Sequence, residues 1–206
     1  MNNSIQETTW SENVILVDAD YVDKVAFNLT VNFERMLERR IPKADMARWL
    51  ECVALDGGMR PGGDGATQVV FVHSGGKDRL DYFVPSHFSD ELDGKAFRGQ
   101  LGEFSICAYP IEAIADGDNF FTEVLQLVSV QKEVRRVMVI PNAEDDYIYN
   151  KVRESLRRVD DEEKRVTVFA MQPMPGGHFR QEILGYSLMA ALGISSAELT
   201  KDVNSD

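Results

Sequence analysis

Asn13-Val14-Ile15-Leu16-Val17-Asp18 is a continuous apolar run closed by an acid, and Ala19-Asp20-Tyr21 follow it directly. A strand covered on both faces has no need to alternate apolar with polar residues. The run therefore predicts a buried parallel strand. Outward from it, Val22, Val25, Ala26, Leu29, Phe33, Met36 and Leu37 recur every three or four residues, the stripe of an amphipathic helix. Pro42 disfavours helical geometry in the residue before it, so this helix is expected to stop near Arg40.

The same alternation continues down the chain. Strands are expected at 67–73, 103–109, 137–140 and 166–171. Helices are expected at 44–55, 119–134, 147–158 and 179–192, with a shorter one at 95–102. Gly193 is placed to end the last helix. Strands alternating with helices imply an α/β fold of three layers, a central parallel sheet of about five strands with helices on both faces. The division expected is a flexible N-terminus at 1–12, one domain at 13–196 and a frayed acidic tail at 197–206.

Composition limits the function. In 206 residues, 22 Lys+Arg stand against 34 Asp+Glu, a formal net charge of −12 that repels phosphate and argues against a grip on long nucleic acid. Cys52 and Cys107 are far apart, with no histidines at ligand spacing, which points to a reducing, cytoplasmic setting. Met1 to Asn13 has no basic and apolar leader, and no run of 18 apolar residues occurs, so neither secretion nor a membrane partner is expected.

Several motifs fail. The turn after the first strand has no glycine for a dinucleotide. Gly76-Lys77 is followed by Asp78 and not Ser or Thr, and Ser74 lacks the glycine two residues upstream that a nucleophile elbow needs. His73, His87 and His178 are scattered, as surface or turn histidines are. What remains is a set of acids at element boundaries: Asp18 and Asp20, Asp116 and Asp118, and Glu144, Asp145 and Asp146. Asp20, Asp118 and Asp146 each have an N-cap role as the plain alternative. In a parallel sheet, however, all strand carboxyl ends share one edge, where ligands bind at the topological switch point. Crowded carboxylates there would call for a hard cation such as Mg²⁺ or Mn²⁺.

The order of features resembles the NYN group of PIN-like domains, bacterial metal-dependent nucleases. Their opening strand ends Asp-Gly-(Asp/Glu)-Asn-Leu, where this chain has Asp18-Ala19-Asp20-Tyr21-Val22. Their Phe-x-x-x-Leu-x-x-x-Gly-Tyr-x-Val segment is matched in spacing by Phe97, Leu101, Phe104 and Ile106. An Asp opening a long helix corresponds to Asp118, and a fourth strand ending Ser-Gly-Asp-x-Asp-Phe corresponds to Pro141-Asn142-Ala143-Glu144-Asp145-Asp146-Tyr147. The chain departs at Tyr21, at Ala115-Asp116-Gly117 where a lysine is usual, and in the missing Ser-Gly with one residue inserted.

This resemblance implies a divalent-metal-dependent ribonuclease that hydrolyses phosphodiesters with metal-activated water. Asp18, Asp118, Glu144 and Asp146 would be the ligands, and Asp18, Asp20, Asp118 and Asp146 the catalytic set. Arg60 and Lys77, with Arg180 a further candidate, would hold the RNA phosphates. The alternative is a PIN-like scaffold without activity that binds a protein partner or a second copy, for which Tyr82, Phe83, Phe88 and Phe97 are candidate contacts, although core packing is the favoured reading of these four. A further alternative is a haloacid-dehalogenase-like phosphatase with Asp18 as nucleophile, Asp20 as acid/base and Ser74 on the phosphate.

Overall fold

The computed structural model describes residues 9–62, 65–111, 117–159 and 162–201. The opening apolar run is β1 (Asn13–Asp18), and the stripe after it is α1 (Ala19–Leu37). Then come β2 (Ala44–Asp45), α2 (Met46–Asp56), β3 (Thr67–Ser74) and β4 (Phe83–Val84). A π-helical turn, Phe88–Leu92, leads to the hairpin of β5 (Ala96–Gly99) and β6 (Gly102–Ile111). The chain continues through α3 (Gly117–Ser129), β7 (Arg136–Ile140), α4 (Asp146–Leu156) and β8 (Arg165–Ala170). It closes with β9 (Arg180–Ile183), α5 (Leu184–Ala191) and α6 (Ser196–Lys201).

Among the described residues seven strands, not about five, form the main sheet, in the order β5-β6-β3-β1-β7-β8-β9. Every neighbouring pair is parallel except β5 with β6. The five expected strands make up its centre. Their order reverses at β1, which pairs with β3 on one side and with β7 on the other. This is the switch point of a doubly wound sheet.

Both additional strands lie at edges. Residues 95–102, expected as a helix, form a hairpin, and β5 covers the outer edge of β6. The expected helix at 179–192 begins only at Leu184, because Arg180–Ile183 pairs with the free edge of β8 and satisfies backbone groups there. Gly193 ends α5 with φ of 68°. Ile194 N–H donates to Met189 C=O and Gly193 N–H to Ala190 C=O, the paired bonds of a Schellman ending.

Alternation along the strands divides the core in two. Ile15, Val17, Phe71, Phe104, Met138 and Ile140 face α1, α2 and α5, and pack with Val22, Trp49, Leu50 and Leu188. Leu16, Val70, Val72, Val137 and Val139 face α3 and α4, and pack with Val124, Leu125, Ile148 and Val152. Each such side chain stabilises the fold by about 1.5–3 kcal/mol through burial, so the centre of the sheet is a rigid platform for its edges. Phe83 and Phe88 are also buried, which removes them from any partner surface.

Candidate functional site

The carboxyl end of β1 leads straight into α1. Asp18 is the N-cap, and its carboxylate accepts a hydrogen bond from Tyr21 N–H at 3.0 Å. Asp20, expected as a cap, instead stands in the first turn of α1 and reaches across to β3. It accepts from Ser74 N–H at 2.8 Å and from the Ser74 hydroxyl. Its other oxygen, Oδ1, is buried without a hydrogen-bond partner and lies 3.8 Å from Lys77 Nζ.

One turn further along α1, Asp23 is 3% exposed. It accepts from Lys77 Nζ at 2.7 Å, Asp81 N–H at 3.0 Å and Tyr82 N–H at 2.9 Å. Asp20 and Asp23 together fix the loop after β3 onto α1. Lys77, expected to hold substrate, is therefore committed to an internal ion pair. Nothing in the composition marks Asp23, but its position three residues after Asp20, inside the apolar stripe, is the local signal for it.

The β7 side of the same edge differs. Asp145, not Asp146, caps α4, accepting from Tyr147 N–H at 2.9 Å and Ile148 N–H at 3.3 Å. Glu144 and Asp146 are exposed. The Tyr21 hydroxyl, shielded from solvent, has its acidity suppressed first by burial and then by the charges of Glu144 and Asp18. Glu144 and Asp18 thus act on one phenol from two elements.

A cavity of about 320 Å³ opens at this edge, lined by Asp18, Asp20, Tyr21, Lys24, Ser74 and Asn142. Val72, Ile111, Phe121 and Ile148 complete its wall. Lys24 and Asn142 were not expected. Their role comes from which elements meet, which no local spacing encodes. Asp118 falls in the first turn of α3, but its side chain lies outside the described residues, and Asp116 lies outside them altogether.

Arg60 lies at the opposite, amino-terminal edge of the sheet. Met59 is in contact with Thr67, the first residue of β3, while Gly58 C=O accepts from Arg136, the first residue of β7. Arg180, the first residue of β9, pairs with Glu182. His73 is buried, stacked on Phe88 at 3.9 Å between centroids, and not a surface histidine.

Among the described residues, no group of three or more His, Cys, Asp or Glu side chains is arranged to hold a metal ion. The donors lining the cavity are nonetheless hard oxygens: the Asp18 and Asp20 carboxylates, the Asn142 amide and the Ser74 hydroxyl. The buried Asp20 Oδ1 without a hydrogen bond suits such a cation as well. Magnesium is commonly held by one or two carboxylates with water completing its shell.

No helix among the described residues is long and apolar enough to cross a membrane. A family model, a family of unknown function (DUF6621), matches residues 7–199, and the chain belongs to that family. No curated protein and no solved structure matches the chain.

Proposed function

We propose that the carboxyl edge of β1 is a phosphodiesterase site on a PIN-like domain, acting on RNA with Mg²⁺ or Mn²⁺. The observation that carries this reading is the pairing of β1 with both β3 and β7, which brings the Asp18 and Asp20 carboxylates at the end of β1, Ser74 at the end of β3 and Asn142 from the loop after β7 to one cavity at the switch point. A divalent cation there would supply a Lewis acid at the phosphoryl oxygens and acidify water. Asp18 and Asp20 would hold it, with Asn142 as a neutral oxygen ligand. The hydrogen bonds from Ser74 orient Asp20, and the Asp18 cap bond to Tyr21 N–H fixes the second carboxylate. Lys24 supplies a positive charge for a phosphate oxygen, which Arg60 is too remote to do.

A second reading, a binding module without catalysis, is favoured by one distance. The Lys77 ammonium lies 3.8 Å from Asp20 and already gives that carboxylate a positive neighbour. Single-stranded RNA incubated with purified protein and Mn²⁺ separates the two. Under the first reading cleavage depends on the metal and falls by about two orders of magnitude or more in Asp18→Asn and Asp20→Asn, as loss of a group placed for the transition state does. Cleavage at equal rates in these variants, or none in the wild type, would sink it. In the latter case the binding module stands.

A further inference from the structure

Residues 171–179 join β8 to β9 without a helix and lie beside α4. The Gln181 side chain holds this loop from within, accepting from Met174 N–H at 2.9 Å and donating to Met174 C=O at 2.9 Å. The Tyr149 hydroxyl lies 3.4 Å from both the Pro175 and Gly176 carbonyls, to which it donates. Gly176 has φ of 75°, and a Cβ there would stand 2.5 Å from Arg153 Nη2. The glycine is therefore required for the Arg153 guanidinium to lie against the loop.

Between this loop and α4 is a cavity of about 470 Å³, lined by Asn150, Arg153, Glu154, Arg157, Gly177 and His178. Arg153 and Arg157 stand four residues apart, on one face of the helix. Arg153 donates to Asn150 Oδ1 at 3.3 Å and lies 5.9 Å from the centre of the Tyr149 ring. Its Nε is buried without an acceptor. Among the described residues, neither arginine is in an ion pair, although Glu154 lines the same cavity. A buried donor without an acceptor costs free energy, and a guanidinium meets that need best through paired bonds to an oxyanion.

We propose that this cavity binds a phosphate dianion, free or as a small monoester. Two guanidinia and His178 offer donors to the three free oxygens of such a group, more than a carboxylate can accept. The cavity is larger than the anion alone, which leaves room for the remainder of a monoester. The loop is already fixed by Gln181 and Tyr149, so little ordering has to accompany binding.

Isothermal titration of the full chain with inorganic phosphate, and separately with methyl phosphate, in a low-salt chloride buffer tests this. Saturable binding at millimolar concentration or tighter is expected. Stronger binding of methyl phosphate assigns the monoester, and stronger binding of inorganic phosphate the free ion. Arg157→Gln, at an exposed position, should weaken binding by about tenfold or more, the loss of one charge-assisted pair. Arg153→Gln should weaken it further, with circular dichroism reporting whether that variant is folded. Asp18→Asn should bind phosphate as the wild type does, whether or not it cleaves RNA. Absence of saturable binding in the wild type, or undiminished affinity in Arg157→Gln, would overturn the proposal.

Discussion

On the β3 side of β1, Asp20 and Asp23 are joined to the following loop by five donors, counting the Lys77 ammonium and four groups of Ser74, Asp81 and Tyr82. On the β7 side, Asp145 is bound to two N–H groups of its own helix, while Glu144 and Asp146 are exposed. Both sides occupy the same edge of the same sheet, and both read as Asp-rich boundaries. The contrast teaches that position at the switch point does not determine an acid's work. The partner loop does. Where the loop turns back onto the helix, as residues 74–82 do, carboxylates become structural anchors. Where a short turn leads on into the next helix without folding back, as at 141–145, the cap takes one carboxylate and Asp146 beside it stays exposed.

The largest effect expected from this contrast is at Asp23. Asp23→Ala removes the acceptor of two backbone N–H groups and the partner of Lys77. Breaking a buried pair costs about 3–5 kcal/mol, and the low end, about 3 kcal/mol, applies because the Lys77 side chain is 28% exposed and can rehydrate. Urea denaturation measures it. A loss below about 1 kcal/mol, the level of an ordinary surface change, would mean the loop does not depend on this anchor and the contrast fails.

The β7 side should respond less. Asp145→Ala is expected to cost about 1 kcal/mol, the usual value of an N-cap, because the first-turn N–H groups of α4 lose their acceptor. Asp146→Asn, one residue on and exposed, should change stability by less than about 0.5 kcal/mol. The same denaturation curves compare the two. Reversal of their order would put the cap at Asp146, as the sequence alone suggests.

These assignments show what was legible in the sequence and what was not. β1, β3, β7 and β8 are readable because covered strands leave apolar runs such as Val14–Val17 and Val137–Ile140, and β6 because its buried Phe104 and Ile106 stand two residues apart. β5 and β9 are not, because an edge strand of four residues carries little pattern. Phe179 and Ile183, four residues apart, even imitate a helix. The acids at the end of β1 are readable from the strand they close. Their partners are not, since Asp20 meets Ser74 across 54 residues and Asp23 meets Lys77 across the same separation. Arg60 illustrates a different failure. A helix linking parallel strands returns the chain to the amino-terminal edge, so the loop after α2 cannot share the edge of Asp18, a consequence contained in the strand–helix alternation itself.

The smallest effect tests whether the two sides communicate, through Tyr21. Its phenol is held above its ordinary value of about 10 by burial first, and then by Glu144 from the β7 side and Asp18 from β1. A folded-state pKa raised above the unfolded value means that the folded chain keeps its proton longer. The corresponding stability is fully present below about pH 10 and is lost as pH rises beyond it, because the unfolded chain then ionises first. Tyr21→Phe cannot ionise, so it should lose less stability than the wild type between neutral and strongly alkaline pH. Glu144→Gln should fall between the two, since it removes one of the charges that oppose ionisation while leaving the burial in place. Urea midpoints measured across this range, alongside tyrosinate absorbance, give the comparison. If Glu144→Gln follows the wild type throughout, the exposed acid does not reach the buried phenol, and the two sides of the edge are electrostatically separate.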